Sequence, residues 1–338
     1  MLVGHVKSLL PEPIRRVLGS ARRTSEAPFF YLRGKEILRD YSRHYHRAQL
    51  NFGKEGNTVH PIIGSPRDLG IQVVLPGSGR NFIDLPDNYL ELVQRVSESV
   101  KPRFDYSKEC SFFPKLPPGR IPEQTQDIPA IQKGEVITIQ LKNPLEIAGL
   151  EDLGAPILEE LEGKVYGSNV MVDKVYLSRS PISRQVPSSS WLWHYDNHPH
   201  EVSKVMIYLT DVSEESAPFE YPRCARSLKP VPGSPLVPLY GDSRVSEEAL
   251  RRYLPNGFEG HRVRGPMGTM ILFDNNMIHR GNIASQSYRD VLIFQVRPVA
   301  SKTRPYIDPR WTGSFQHAAF NPDPDDIIPS VQGPGLFL

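Results

Sequence analysis

The fold of the second half of this chain is constrained most strongly by short apolar segments that are separated by glycine- and proline-rich turns. They fall at residues 170–177, 189–196, 202–210, 269–273 and 288–296. Segments of this length between turn residues predict β-strands, and several in succession are typical of a β-sandwich or barrel. Proline supports the same interpretation, because 33 of the 338 residues are proline, about twice the usual share of ~5%, and proline interrupts long helices. The sequence therefore predicts an all-β core.

Helices are predicted at three places flanking these strands. Between residues 86 and 100 the apolar side chains recur on one helical face, with Pro86 near the first turn and Pro102 just beyond the end. A similar pattern predicts a helix over residues 156–166, ended by Gly167. An insertion between residues 223 and 264 contains Ser246 as a plausible N-cap of a short helix.

We divide the chain into a basic N-terminal extension (1–60), a barrel domain with its helices and the insertion (61–304), and a proline-rich C-terminal tail (305–338). The extension carries eleven Lys/Arg against five Asp/Glu. Residues 1–24 are compatible with a basic amphipathic helix on an anionic membrane surface. A terminal arm packed on the barrel or on another subunit is the favoured alternative, because Pro11 and Pro13 oppose a long helix.

Composition narrows the classes of function. A net charge of +2 does not support a nucleic-acid partner. The sequence has no run of eighteen apolar residues, so no transmembrane segment is predicted. Cys110 and Cys224 belong to no Cys-x-x-Cys pair, which is typical of a reducing compartment without a disulfide framework. Since the N-terminus also makes a poor signal peptide, we expect a cytoplasmic protein with a small-molecule substrate; its oligomeric state is not predicted.

A candidate metal site stands out within the predicted strands. His194 and Asp196 are two residues apart, which on an extended strand places both side chains on one face. His279 follows from a later β-type segment. Two imidazoles and one carboxylate form the facial triad of non-haem Fe(II) oxygenases, which leaves coordination positions open for a cosubstrate and O2. His198 and His200 are alternative ligands, but their turn-like surroundings favour the surface or the substrate side.

A candidate anion site lies ten residues beyond His279. Arg289 would share one strand face with Val291 and Ile293. A guanidinium among inward-facing apolar residues needs an anion, because a buried unpaired charge is costly. A dicarboxylate held at its far end by the guanidinium fork would supply that anion. Arg297, on the same strand, is a competing candidate.

Taken together these features resemble the phytanoyl-CoA dioxygenase family of Fe(II)- and 2-oxoglutarate-dependent oxygenases over roughly residues 85–300. The matching motifs are His194-x-Asp196, the strand 204–211, Ala217-Pro-Phe-Glu-Tyr-Pro222, the segment 265–274, His279-Arg-Gly-Asn282 and Arg289. The resemblance implies a double-stranded β-helix (a jelly roll, cupin-like) braced by N-terminal helices. It also implies a metal ion on His194, Asp196 and His279, with Arg289 rather than Arg297 at the C5 carboxylate of 2-oxoglutarate. The family's usual Gly-Ser-His is replaced here by Cys224-Ala-Arg-Ser227, so different substrate contacts are expected there.

The resemblance implies an enzyme that uses Fe(II), 2-oxoglutarate and O2 to hydroxylate a small or medium-sized metabolite, with release of succinate and CO2. Asp196 leaves no coordination vacancy for a halide, which favours hydroxylation over halogenation. Desaturation, ring closure and epimerisation use the same ligands and stay open. A different class is a non-oxidative, cupin-like isomerase or sugar-binding module. Arg289 separates the two classes, because a cupin needs no buried arginine ten residues beyond its last histidine.

Overall fold

A computed structural model of the chain describes residues 43, 45–53, 69–79, 81–116, 119, 121–196, 201–223, 244–254, 259–301 and 304–307. The amphipathic pattern of residues 1–24, His198, His200, Cys224 and most of the C-terminal tail lie outside the described residues. Within the described part, no helix combines the length and the apolar character that a membrane crossing requires.

Two antiparallel sheets form the centre of the described structure. The larger sheet has seven strands in the spatial order β1 (Ile71–Val74), β8 (Met270–Asp274), β5 (Ser203–Tyr208), β10 (Arg289–Val299), β4 (Asn169–Ser180), β3 (Thr138–Leu141) and β2 (Cys110–Phe113). The smaller sheet has the order β7 (Gly260–Val263), β6 (Phe219–Pro222) and β9 (Arg280–Gly281). Neighbouring strands pair antiparallel throughout.

The connectivity between the sheets identifies a double-stranded β-helix. From β4 onward the chain crosses between the sheets: β4 and β5 lie in the larger one, β6 and β7 in the smaller, then β8, β9 and β10 alternate. The segment at His194, between β4 and β5, bridges His279 just before β9 and so continues the smaller sheet. The all-β, jelly-roll prediction is therefore confirmed, and the two predicted histidine ligands are neighbours because of it.

One predicted strand, 189–196, is wrong in its first half. Residues Ser189–Trp191 form a 3-10 turn, and Ser189 has a φ of 53°, which breaks an extended run. Extended backbone resumes at Leu192, and His194 then makes single bridges rather than a ladder. The two-residue alternation needed for the His-x-Asp motif is thus retained over residues 192–196.

The predicted helices are present, with one wrong boundary. Helix α1 (Tyr89–Val100) has the expected buried face, α3 is Leu150–Leu161, and α4 is Glu247–Tyr253. A further single turn, α2 (Pro129–Gln132), was not predicted. The Ser246 side chain accepts from the Ala249 N–H at 3.0 Å, which confirms the predicted N-cap of α4.

Helix α3 begins before the predicted position 156, so Pro156 lies inside it. Leu150 and Leu153, both buried, extend its apolar face towards the N-terminus. The burial of these two side chains outweighs the helical hydrogen bond that a proline removes. The C-terminal end of the helix is as predicted. After one π-helical turn the helix ends at Gly167, whose φ is 56°.

The two faces of the larger sheet bury different cores. Its outer face packs with α1 and α3 in a large cluster that includes Val96, Leu153, Leu158, Leu292 and Phe294. Its inner face meets the smaller sheet through Met206, Tyr208, Phe219, Ile271, Phe273 and Val291. Helical residues 45–53 pack on the outer cluster, to which Tyr45 and Tyr166 belong, and the Tyr45 hydroxyl donates to the Tyr166 carbonyl at 2.6 Å. The inner face is therefore the interior of the barrel.

Leu158→Ala is expected to lower the free energy of unfolding by about 2–5 kcal/mol, the usual cost of a cavity in a packed core. Leu158 is fully buried on α3, whereas Leu90 on α1 is 48% exposed. Leu90→Ala, a matched helical control, is expected to cost less than about 0.5 kcal/mol. Urea denaturation followed by circular dichroism measures both. Equal losses at the two positions would show that α3 does not brace the sheet.

Candidate metal centre

The three predicted ligand residues converge on one point of the barrel interior. One ligand atom from each of His194, Asp196 and His279 can be chosen so that all lie within 4.8 Å of one another. Asp196 Oδ1 is 3.9 Å from His194 Nε2, and Asp196 Oδ2 is 3.7 Å from His279 Nε2. Both histidines are buried. This spacing is suitable for one metal ion bound by two imidazoles and a carboxylate.

Backbone pairing brings the distant ligands together. The His194 N–H donates to the His279 carbonyl at 2.9 Å, the His279 N–H donates back at 2.8 Å, and the Asp196 N–H donates to the Asn275 carbonyl at 2.8 Å. Trp193 and Tyr195 alternate to the opposite face. They pack in one cluster with Val245, Leu250, Leu254 and Ile278. The helix of the predicted insertion therefore supports the segment that carries His194 and Asp196.

Hydrogen bonds fix the orientation and the tautomer of both imidazoles. His194 Nδ1 lies 2.8 Å from the Leu192 carbonyl, and His279 Nδ1 lies 2.7 Å from the Met277 carbonyl. A carbonyl oxygen only accepts, so each Nδ1 carries the proton and each Nε2 keeps its lone pair. Such outer partners commonly set the tautomer of metal-binding histidines.

The electrostatics keep these imidazoles neutral. Burial lowers the pKa of His194 to about 3, and the nearby His279 adds to the decrease. Burial also lowers the pKa of His279, although the Asp196 carboxylate opposes this effect. A neutral imidazole is the form that binds a metal ion, so both histidines are in that form at neutral pH.

Lys204 is a neighbour of the site that the sequence did not assign. Its Nζ donates to Asp196 Oδ2 at 2.7 Å from strand β5, and its side chain is 12% exposed. On extended backbone, Lys204, Met206 and Tyr208 of β5 share one face. The structure places the face inside the barrel, where Lys204 restrains the carboxylate. The sequence feature that could have identified Lys204 is a lysine that alternates with apolar residues on a predicted strand.

Two phenylalanines enclose His279. The ring of Phe219 is stacked on the imidazole at 5.2 Å between centroids, and Phe273 meets it edge-on at 5.2 Å. Both rings belong to the inner core. They exclude water from one side of the site, which strengthens electrostatic interactions within it.

Arg289 is buried at the start of β10, as predicted. It is 7% exposed, and its Nη2 donates to Ser180 Oγ at 3.4 Å. Its Nε and Nη1 have no hydrogen-bond partner among the described residues, and burial lowers its pKa. A Cβ added at Gly281, two residues after His279, would lie 3.9 Å from Nη2. The guanidinium therefore borders the strand that follows His279 and has donors left for an anion.

Tyr208 and Arg297 are two further residues to compare with Arg289, the candidate anion-binding residue. Tyr208, which the sequence analysis did not assign to a site, lies with its ring 5.9 Å from the Arg289 guanidinium. Arg297, the competing candidate, is also buried but lies beside Asp173. Eight residues of strand separate the two arginines, roughly 26 Å at ~3.3 Å per residue. Arg289 and Arg297 therefore lie in different parts of the barrel.

No protein-family model matches the sequence, and no curated protein matches it, so membership of the phytanoyl-CoA dioxygenase family is not confirmed. EvdMO1 aligns with a TM-score of 0.42 at 19% identity over 69% of this chain and 49% of that one, so the alignment spans about half of EvdMO1. EctD from S. alaskensis with bound Fe aligns with a TM-score of 0.45 at 14% identity, over 77% and 89% of the two chains. The epimerase SnoN in complex with Fe3+, alpha ketoglutarate and nogalamycin RO gives a TM-score of 0.45 at 13% identity, over 74% and 92%.

Proposed function

We propose that this protein is an Fe(II)- and 2-oxoglutarate-dependent dioxygenase that hydroxylates a small or medium-sized metabolite, with release of succinate and CO2. One observation carries the proposal. A two-histidine, one-carboxylate cluster shares the barrel interior with a buried guanidinium, two of whose nitrogens have no hydrogen-bond partner among the described residues. The first feature suits non-haem Fe(II), and the second suits the remote carboxylate of a dicarboxylic acid.

The donor set fits iron. His194 and His279 would bind through Nε2 and Asp196 through a carboxylate oxygen, and three protein ligands leave positions for a bidentate cosubstrate and O2. When bound, Fe(II), 2-oxoglutarate and O2 together supply the oxidation, while the protein supplies orientation and a shielded site. Lys204 would hold the Asp196 carboxylate in place through its 2.7 Å contact.

Arg289 would orient the cosubstrate. Its Nε and Nη1, which no residue in the described part of the chain contacts by a hydrogen bond, allow a bidentate contact with the C5 carboxylate. The side chains that share its side of the larger sheet, including Met206, Ile271 and Val291, are apolar and buried. They would contact the methylene groups of 2-oxoglutarate and keep water away from the salt bridge.

A cupin-like isomerase or sugar-binding module is the second candidate. It would use the same three metal ligands but has no need of Arg289. An arginine buried without an anion costs several kcal/mol, so its retention inside the barrel favours an anionic cosubstrate. Asp196 as a third ligand favours hydroxylation over halogenation.

An anaerobic optical titration tests the proposal. Adding Fe(II) and then 2-oxoglutarate is expected to produce a weak visible metal-to-ligand charge-transfer band, because the keto acid chelates the iron. Succinate is the control, since it lacks the keto group and is expected to produce no band. If iron binds stoichiometrically and 2-oxoglutarate produces no band, the cupin-like alternative is favoured.

A further inference from the structure

We propose that Gly281 leaves the space through which the cosubstrate extends from the metal ion to Arg289, so that the residue at position 281 determines which 2-oxo acids the site accepts. This inference deepens the proposed function and rests on it. The ligand class is a 2-oxo acid that carries a second, remote carboxylate.

Strand register places Gly281 on the inner face of the smaller sheet. Gly281 on β9 pairs directly with Phe219 on β6, and directly paired residues present their side chains on one face. Phe219 belongs to the inner core and stacks on the His279 imidazole. The intervening Arg280 points the other way, since its guanidinium lies 4.2 Å from the ring of Trp193, which packs on the opposite face. His279 and Gly281 therefore both face the barrel interior.

Gly281 lies between the metal ligand His279 and the candidate anion-binding residue. It follows His279 by two residues, roughly 7 Å of extended backbone at ~3.3 Å per residue. On its other side, a Cβ added at Gly281 would lie 3.9 Å from Arg289 Nη2. A ligand that binds the metal ion beside His279 and also reaches Arg289 therefore passes over Gly281. 2-Oxoglutarate is such a ligand, because its 2-oxo acid group and its C5 carboxylate are at opposite ends of one chain.

Neither the backbone nor the packing at position 281 requires a glycine. Gly281 is not among the residues with a positive φ, so alanine can adopt its backbone conformation. The nearest described atoms to an added Cβ are the Ser190 carbonyl oxygen and Trp191 Cδ1, each at 3.7 Å, which is an ordinary van der Waals distance. Gly268 is different, because its φ is 89° and an added Cβ would lie 2.7 Å from Leu90 Cδ2.

The surroundings of Gly281 point to a ligand as the reason for the missing side chain. A glycine within a strand weakens the strand and often marks a place where a ligand approaches the backbone closely. Its neighbours on the inner surface, Phe219 and Trp191, are large and buried, so Gly281 forms a gap between them. At one end of this gap is His279. At the other end is the Arg289 guanidinium, whose Nε and Nη1 have no hydrogen-bond partner among the described residues.

A methyl group at position 281 is therefore expected to exclude ligands according to their length. It fits among the described protein atoms but occupies the space that a ligand crosses on the way to Arg289. Pyruvate has the same 2-oxo acid group as 2-oxoglutarate and lacks the remote carboxylate. Pyruvate can therefore chelate the metal ion without passing over Gly281.

Anaerobic titration of the Fe(II)-loaded protein with these two acids tests the inference. The charge-transfer band reports chelation of either acid, and its increase with concentration gives a dissociation constant. Gly281→Ala is expected to raise the dissociation constant of 2-oxoglutarate by at least about tenfold and to leave that of pyruvate within about twofold. Gly281→Val is expected to raise the 2-oxoglutarate constant further, because the larger side chain fills more of the gap.

Two controls test where the substitution acts. Gly163→Ala, in the π-helical turn after α3, adds a methyl group with no described atom within 4 Å, and it is expected to bind both acids like the wild type. In an Arg289→Leu background the remote carboxylate of 2-oxoglutarate is no longer held. Adding Gly281→Ala to that background is therefore expected to weaken 2-oxoglutarate by less than about threefold, because the two residues act on the same part of the ligand.

The outcomes separate this inference from the proposed function. If the band forms in the wild type and Gly281→Ala binds 2-oxoglutarate equally well, the inference is wrong and the oxygenase proposal stands. If Gly281→Ala weakens both acids equally, the substitution disturbs the metal site and the inference is also wrong. If iron binds and neither acid produces a band in the wild type, the oxygenase proposal fails and the inference fails with it.

Discussion

Replacing His279 with alanine is expected to reduce iron-dependent 2-oxoglutarate turnover to background and to lower the bound iron far below one per chain. The reason is geometric. His279 Nε2 is one of three ligand atoms that meet within 4.8 Å, and two remaining ligands hold Fe(II) poorly. His194→Ala is expected to have the same effect. Succinate release at limiting iron measures turnover, and elemental analysis of the desalted protein measures iron.

A matched control separates ligation from general damage. His261 is exposed on β7 of the smaller sheet, and His261→Ala is expected to retain iron and turnover. Circular dichroism establishes that all three variants are folded. Wild-type succinate release from a folded His279→Ala or His194→Ala protein at limiting iron would contradict the ligand assignment.

Arg289→Leu is expected to raise the KM for 2-oxoglutarate by one to two orders of magnitude, equivalent to about 1.5–3 kcal/mol for a charge-assisted contact. Arg289→Lys is expected to recover part of this loss, because an ammonium group donates without the planar fork. Initial rates of succinate release over a range of 2-oxoglutarate concentrations measure the effect. The metal-free Arg289→Leu protein should be at least as stable as the wild type, because the change removes a buried charge whose Nε and Nη1 have no partner among the described residues.

Two comparisons test the specificity of this result. Arg95→Leu removes a half-exposed arginine from α1 and is expected to leave the KM for 2-oxoglutarate within about twofold. Arg297→Leu is expected to change that KM much less than Arg289→Leu does, since roughly 26 Å of strand separates the two positions. If Arg297→Leu instead has the larger effect, the cosubstrate binds at the opposite end of the barrel.

Local patterns predicted much of the fold. The strands 202–210 and 269–273 and the buried face of α1 follow from the spacing of apolar residues, which depends only on the chain's own periodicity. The N-cap at Ser246 was also predictable, because it depends on a hydrogen bond between groups only three residues apart. The turn at Ser189 and the early start of α3 at Leu150 were not. For α3, the burial of Leu150 and Leu153 in the folded protein overrides the local preference of Pro156 for a helix start.

The sequence by itself determined which chemistry is available: His194 and Asp196 on one face, and an arginine among apolar residues of β10. That follows because side chains two apart on extended backbone return to the same side. Only the tertiary structure decided which distant groups meet. It paired the backbone of His194 with that of His279, aimed Lys204 at Asp196, and placed Arg297 near Asp173. Cross-strand register depends on pairing between remote segments, and no local spacing in the chain encodes it.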